Sequence, residues 1–396
     1  MKIGAILSVT VTSGGGFNQS LNALLQMARL CEGRHALSVY TTKQENVSQL
    51  QGLGLDCVCV QPGLADLWVG YASTGPLTRQ LQKRLRVTSK LEARLLADGV
   101  DLAYFAGPSL RPLTLQRVPY VATVWDLCHR DFPEFPEVAE PAAFYERELA
   151  FGHGLPRAYC VLTDSDALSE RVARRYAVDR ERLLAMPFSP SPFFDIPAAE
   201  PPEEVLRRHG LAPGYLFYPA QFWPHKNHVR ILQALRILRQ EGIALRAVFS
   251  GGDQGNRAAI AACIRAWDLD VALPGFVPPA DMPALYQGAL AVVMPTYFGP
   301  TNLPPLEAWK TGRPLIYSSH LAEQAGDAAL LADPDDASEL AGRIRAILSP
   351  ELRAELVARG TIRLQRIAEE IAAAEQALVL RLDRLARRLE SARPAA

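Results

Sequence analysis

Short apolar runs recur along this chain, each followed by a segment of helical period, and the alternation breaks once before it resumes. Residues 3–9, 37–40, 57–60, 102–105, 120–124 and 158–162 read as strands. Leu21, Leu24, Leu25, Met27 and Ala28 fall on one face of a helix predicted over 20–30, with further helices at 80–96 and 167–175. Strands that are apolar along their whole length, with helices between them, dictate a parallel sheet covered on both faces. Between Ala185 and Pro202 the texture changes: Pro187, Pro190, Pro192, Pro197, Pro201 and Pro202 leave no room for a regular element, and the segment reads as a linker. The pattern then restarts, with strands at 215–218, 245–250, 271–273, 290–294, 314–317 and 329–331 and helices at 227–239 and 256–267. The expected architecture is α/β, two Rossmann-like doubly wound domains at 1–190 and 203–375 facing a cleft. A last helical stretch, 350–393, is expected to return to the first domain over 376–393.

Composition narrows the function. Lys+Arg and Asp+Glu both number 42, so the chain lacks the basic footprint of a nucleic-acid binder. The six cysteines (Cys31, Cys57, Cys59, Cys128, Cys160 and Cys263) lie mostly in apolar runs with no CxxC pair, which argues against a zinc site. No run of 18 apolar residues is present, and the opening MKIGAILSV reads as a first strand, so a cytoplasmic protein is expected. Near the C-terminus Leu378, Leu382, Leu385 and Leu389 share a face while Arg381, Arg384, Arg387 and Arg388 take others. Such a helix covers a protein surface, and its basic side also suits anionic lipid.

Four segments carry candidate chemistry, each where a strand gives way to a loop. In open α/β sheets ligands bind at that edge. After the first strand, Thr12–Asn18 contains Gly14, Gly15 and Gly16, either a plain tight turn or a loop whose backbone approaches a phosphate. Thr123–Asp131 releases Trp125, Asp126, His129 and Arg130 beyond a strand end; Asp126 reads equally as a turn cap, and His129 as a sugar ligand or a surface histidine. Tyr218–Asn227 ends in Lys226 at a helix start, where a cation opposes the helix dipole unless an anion such as a diphosphate is shared. The stretch 294–318 holds a loop rich in Gly and Pro and then Glu307, expected in a helix's first turn. There it either caps its own helix or accepts hydrogen bonds from a vicinal diol such as a ribose. Beside it, the loop around Gly275 is placed to present backbone groups to a nucleobase.

Taken in order, the glycine loop, T-V-x-D-L, the linker, P-H-K-N, L-P-G-F-V and L-P-P-L-E-A with G-x-P resemble the GT-B retaining glycosyltransferases of family 4 along essentially the whole chain. The resemblance implies an acceptor-side first domain and a donor-binding second domain. It implies that Glu307 binds the donor ribose, that Lys226 holds the donor diphosphate, and that Gly15 and Gly16 face the diphosphate and the transfer site. Phe276 and Val277 match the segment whose backbone contacts the base, and the peptide groups of Pro300, Thr301, Asn302 and Leu303 match those that meet the donor sugar. Three positions depart from the pattern. Gly299 stands where the first of two paired glutamates is usual, Gln221 where an arginine partners the lysine, and Trp125 where a histidine precedes Asp126, with His129 one turn away as a substitute. Arg230 is a candidate to replace the charge missing at Gln221.

The activity expected from this resemblance is a retaining, metal-independent transfer of a mannose- or glucose-type hexose. The donor would be a GDP- or UDP-sugar acting as co-substrate, with no further cofactor. The acceptor would be a saccharide or a lipid-linked saccharide, in cell-surface polysaccharide synthesis such as that of lipopolysaccharide. Lys226, Glu307, Asp126 and His129 are the catalytic candidates. A peripheral contact with the inner face of the membrane fits the basic stretch Lys83, Arg84, Arg86, Lys90 and Arg94. Rival readings are a nucleotide-sugar epimerase of the same architecture and a catalytically silent sugar-nucleotide binder.

Overall fold

The computed structural model describes residues 1–10, 15–299 and 301–392. The chain forms two compact units: Met1–Pro187 together with Glu370–Ala396, and Phe188–Glu369. In the first, β1 (Lys2–Leu7), β2 (Ala36–Thr41), β3 (Cys57–Cys59), β4 (Leu102–Phe105), β5 (Tyr120–Thr123), β6 (Cys160–Thr163) and β7 (Leu183–Ala185) make a sheet of order β3-β2-β1-β4-β5-β6-β7. In the second, β8 (Tyr215–Pro219), β9 (Ala247–Ser250), β10 (Val271–Gly275), β11 (Ala289–Met294), β12 (Leu315–Ser318) and β13 (Leu330–Ala332) give β10-β9-β8-β11-β12-β13. Every pairing is parallel; Ala5, for example, lies opposite Val39 on one side and Tyr104 on the other. Central strands such as β1 and β4 are buried on both faces, as their unbroken apolar sequences require.

The helices that matter below are α1 (Gly15–Cys31), α2 (Leu64–Ala72), α3 (Pro76–Leu85), α4 (Lys90–Ala97), α5 (Cys128–Asp131), α6 (Pro141–Leu149), α7 (Asp166–Tyr176), α8 (His228–Gln240), α9 (Met282–Gly288), α10 (Leu303–Lys310) and α11 (Pro350–Ala392). The single helix expected over 80–96 is in fact two. Arg86 takes a left-handed φ of 51°, the β-branched pair Val87–Thr88 follows, and Ser89 caps α4 by accepting the Glu92 amide at 3.0 Å.

The 43-residue α11 passes through both units. In the second it lies on α10: Gly360 leaves the space taken by the Trp309 ring, whose indole N–H donates to the Ala328 carbonyl at 3.1 Å. In the first, Leu378, Leu382 and Leu385 are buried, the Tyr159 hydroxyl donates to the Arg381 carbonyl at 2.8 Å, and Gln26 donates to Glu375 at 2.9 Å. No helix among the described residues is long and apolar enough to cross a membrane.

Candidate functional site

Each sheet reverses its strand order once. In the second unit the chain builds outward from β8 to β10, then returns to β11 on the other side of β8. Loops leaving the C-terminal ends of β8 and β11 therefore flank a crevice, the standard ligand position in such sheets. Those two loops, 220–227 and 295–302, carry Gln221, Lys226, Gly299, Thr301 and Asn302.

Aromatic stacking and backbone hydrogen bonds stitch the loops together. The His225 ring stacks on Phe298 at 3.9 Å, and the His225 carbonyl accepts both the Tyr297 amide at 3.0 Å and the Thr296 hydroxyl at 3.2 Å. His228 lies between Phe222, 4.5 Å away and nearly parallel, and Tyr218 at 4.7 Å; burial holds its imidazole near a pKa of about 3, hence neutral. Asn227 adopts a left-handed φ of 55° and its side-chain amide donates to the carbonyls of Pro295 and Pro334. Lys226 closes a short 3₁₀ turn (Pro224–Lys226) instead of opening α8 directly. With the turn fixed on both sides, its ammonium reaches Asn302 Oδ1 at 3.3 Å.

Asn302 is the hub of a buried amide network. Its Nδ2 donates to the Gly299 carbonyl at 2.6 Å and to the Tyr317 hydroxyl at 2.8 Å. Gln324 pairs with its backbone in both directions, accepting the Asn302 amide at 3.0 Å and donating to its carbonyl at 2.7 Å. Gly299 has a φ of +115°, and a Cβ there would sit 2.7 Å from Asn302 Oδ1. A side chain at position 299 is therefore incompatible with Asn302 as it is placed here. Thr301 is half-buried beside them and Leu303 buried at the first position of α10; Pro300 lies outside the described residues. Gln221 accepts the Trp223 indole N–H at 3.1 Å. Arg230 gives its donors to the Pro334 carbonyl and to Gln233 and stands 3.5 Å from Asp335. Phe276 is exposed while Val277 is buried, after Gly275 turns the chain at φ +78°.

Glu307 is not in a first turn. Proline needs no amide there, so Pro304 and Pro305 fit the opening turn of α10; the helix starts at Leu303 and Glu307 falls in the second turn. It does not cap that helix. Its carboxylate is 6% exposed, accepts the Tyr286 hydroxyl at 2.6 Å and is also met by the Ser191 backbone. Burial raises its pKa from 4.5 to about 7, against the opposing effect of those two donors. Tyr286 is held in turn by edge contacts with Phe217 at 5.0 Å and Phe194 at 5.4 Å.

In the first unit the reversal lies between β1 and β4. Of the glycine loop, Thr12 and Gly14 lie outside the described residues, and Gly15 and Gly16 form the first turn of α1 instead of a free turn. The Trp125 ring lies beside Gly16 and packs closely over Gly107: a Cβ on Gly16 would lie 3.6 Å from it, an ordinary contact, and one on Gly107 3.0 Å. Asp126 takes the capping role, accepting the Cys128 amide at 2.9 Å and Arg147 at 2.6 Å. Burial pushes that carboxyl up, but Arg147 and the Cys128 amide outweigh it and the net shift is downward.

The expectation that His129 faces a ligand from a loop is corrected. It lies in α5 with no exposed surface, packed against Phe144 and Phe151, with Nε2 2.7 Å from Glu148. Burial lowers its pKa despite that carboxylate. Arg130 pairs with the same Glu148 and, with Tyr176 and His129, holds it near a pKa of about 2. This network ties α5, α6 and α7 together.

Sequence reasoning missed Tyr286, Tyr317 and Gln324. Each lies inside or beside an apolar run, where nothing distinguishes a positioning hydroxyl or amide from ordinary core.

Comparison with known proteins bears on this geometry. Residues 213–350 match the model of the family described as glycosyl transferases group 1. The chain is 28% identical over 294 residues to the O-antigen chain mannosyltransferase B of Escherichia coli, covering 70% of this chain and 74% of that one. HepE from Anabaena, solved in complex with UDP and glucose, superposes with a TM-score of 0.72 at 15% identity over 97% of this chain and 99% of its own. WaaG, a glycosyltransferase involved in lipopolysaccharide biosynthesis, does so with a TM-score of 0.64 at 13% identity over 95% and 98%. The two parallel sheets and their helices are those of the GT-B fold.

Proposed function

We propose that this chain, a GT-B glycosyltransferase whose residues 213–350 match the group 1 model, moves a hexose from a nucleotide diphosphate sugar to a saccharide or lipid-linked acceptor. The observation that carries the reading is the Lys226 ammonium, held by Asn302 at the crevice where the second sheet reverses. As the bond from the sugar C1 to the β-phosphate oxygen breaks, negative charge grows on the leaving diphosphate. A fixed ammonium, together with amide groups of the adjoining loops, stabilises that charge more than it stabilises the bound substrate. The reading needs no metal, and retention follows from the resemblance alone. Glu307 is assigned to the ribose: two ribose hydroxyls would replace Tyr286 and Ser191 as donors to its carboxylate and draw it into the ionised form. The exposed Phe276 ring and the backbone around Gly275 are assigned to the base.

Mannose as the sugar, and surface polysaccharide as the destination, are supported by the mannosyltransferase relative; UDP as the nucleotide is supported by the HepE complex, and GDP remains the alternative. The test is nucleotide release from GDP-mannose, UDP-glucose and related donors, with and without lipid-linked oligosaccharide. Acceptor-dependent release that falls at least 100-fold in Lys226→Ala, with circular dichroism unchanged, is expected. Donor binding without turnover for every pair would leave a silent binder, and unchanged donor affinity in Lys226→Ala would remove the diphosphate role.

A further inference from the structure

We propose that the outer face of α2 and α3 docks this chain onto an anionic lipid surface. Twelve large hydrophobic side chains are exposed among the described residues, and six of them fall in these two short helices: Leu64, Leu67, Tyr71, Leu77, Leu81 and Leu85. They are not scattered. Helical spacing puts Leu64, Leu67 and Tyr71 on one side of α2, and Leu77, Leu81 and Leu85 on one side of α3. The opposite faces are already used: Val69, Ala72 and Gln82 are buried, and Gly70 lies against Thr114. Both helices are therefore seated on the first unit with their apolar stripes turned to solvent, the reverse of an ordinary surface helix. A contiguous exposed patch of this kind marks an interaction surface. On α11, whose basic side also suited anionic lipid by sequence, Leu378, Leu382 and Leu385 are buried in protein.

Charge selects the occupant. Between Gln61 and Lys90 there are five basic residues and one acidic residue. That acid, Asp66, is buried with its carboxylate accepting the Gly63 amide at 2.9 Å, so no carboxylate of this segment faces solvent. Arg84 lies on the same side of α3 as its leucines, and Arg86 and Lys90 are exposed just beyond its end. Trp68 and Tyr71 pair their rings 6.4 Å apart on α2, the residue types that settle at a headgroup boundary. Apolar side chains ringed by cations and free of anions fit acyl chains below and phosphate headgroups beside them. A second copy of the chain is a poorer occupant, since a two-fold contact would set one basic rim against another.

The surface goes beyond the transfer reaction, and its test needs no substrate, so either can fail alone. The purified full-length chain is sedimented with vesicles of phosphatidylcholine, and with vesicles of phosphatidylcholine and phosphatidylglycerol in equal parts. Binding to the mixed vesicles, little to phosphatidylcholine alone, and release at high salt are expected. The combined variant Leu64→Ser, Leu67→Ser, Leu77→Ser and Leu81→Ser, all exposed positions, should abolish binding while keeping the thermal midpoint and turnover with a soluble saccharide acceptor. Arg84→Glu with Lys90→Glu should weaken binding by tenfold or more, at roughly fivefold per basic residue. The proposal is overturned by a chain that stays in the supernatant with both vesicles, by serine variants that bind like the parent, or by a patch-dependent dimer in sedimentation equilibrium.

Discussion

At the residue scale the second unit turns on Glu307 and Asn302. Because burial holds the folded pKa of Glu307 near 7, above its ordinary 4.5, the unfolded chain loses this proton first as pH rises. Stability attributable to it is full below about pH 4.5, falls by up to about 3 kcal/mol on the way to pH 7, and is flat beyond. Glu307→Gln should flatten the thermal midpoint across that window, as differential scanning calorimetry at stepped pH will show. If a ribose draws the carboxylate into its ionised form, donor binding near pH 7 should release about half a proton. Titration calorimetry in buffers of different ionisation enthalpy reads this directly, and Glu307→Gln should abolish it. Asn302 and Lys226 touch, so their effects should not add. Asn302→Ala is expected to raise the donor KM and to cost about 1–3 kcal/mol of stability, because the buried Gly299 carbonyl and Tyr317 hydroxyl lose the Asn302 Nδ2 donor. A Lys226→Ala, Asn302→Ala double variant should lose less donor affinity than the two single losses together.

At the element scale, strands and most helices were legible because their periodicity is a matter of packing faces. Boundaries set by local backbone chemistry were not. The start of α10 was hidden by two prolines that ordinarily signal a loop but fit an opening turn, and the break between α3 and α4 turns on one left-handed arginine. His129 shows the limit for sites: its network partners Glu148 and Tyr176 lie 19 and 47 residues away along the chain, a proximity that spacing cannot reveal. The α10–α11 contact yields a prediction whose sign opposes the usual rule. Gly→Ala inside a helix normally stabilises by about 1 kcal/mol. At Gly360 the new Cβ would lie 2.4 Å from the Trp309 ring, itself pinned by its indole hydrogen bond. Gly360→Ala should therefore lower stability by about 1–3 kcal/mol in chemical denaturation, and a Trp309→Leu background should restore the ordinary sign.

At the scale of the whole molecule, the doubly wound class was readable because the strands pair in parallel and the central ones are buried on both faces. The amide network beside Gly299 was not, since it draws on Asn302, Tyr317 and Gln324 from three separate elements. The C-terminal half of α11 is part of the first unit, where it partners Tyr159 and Gln26 and buries three leucines. A chain ending at Glu369 should then bind a hydrophobic dye and melt earlier than the full chain, with the loss confined to the first unit as followed by amide exchange.

That arrangement also fixes an order of events during synthesis. Residues 1–187 leave the ribosome first, but the helix that covers β6, β7 and the flank of α1 is encoded after the entire second unit. At ordinary elongation rates the first unit waits roughly 10–40 s for its last element. Through that interval a strip of apolar surface stays uncovered on the nascent chain, open to a chaperone or to a neighbouring polypeptide.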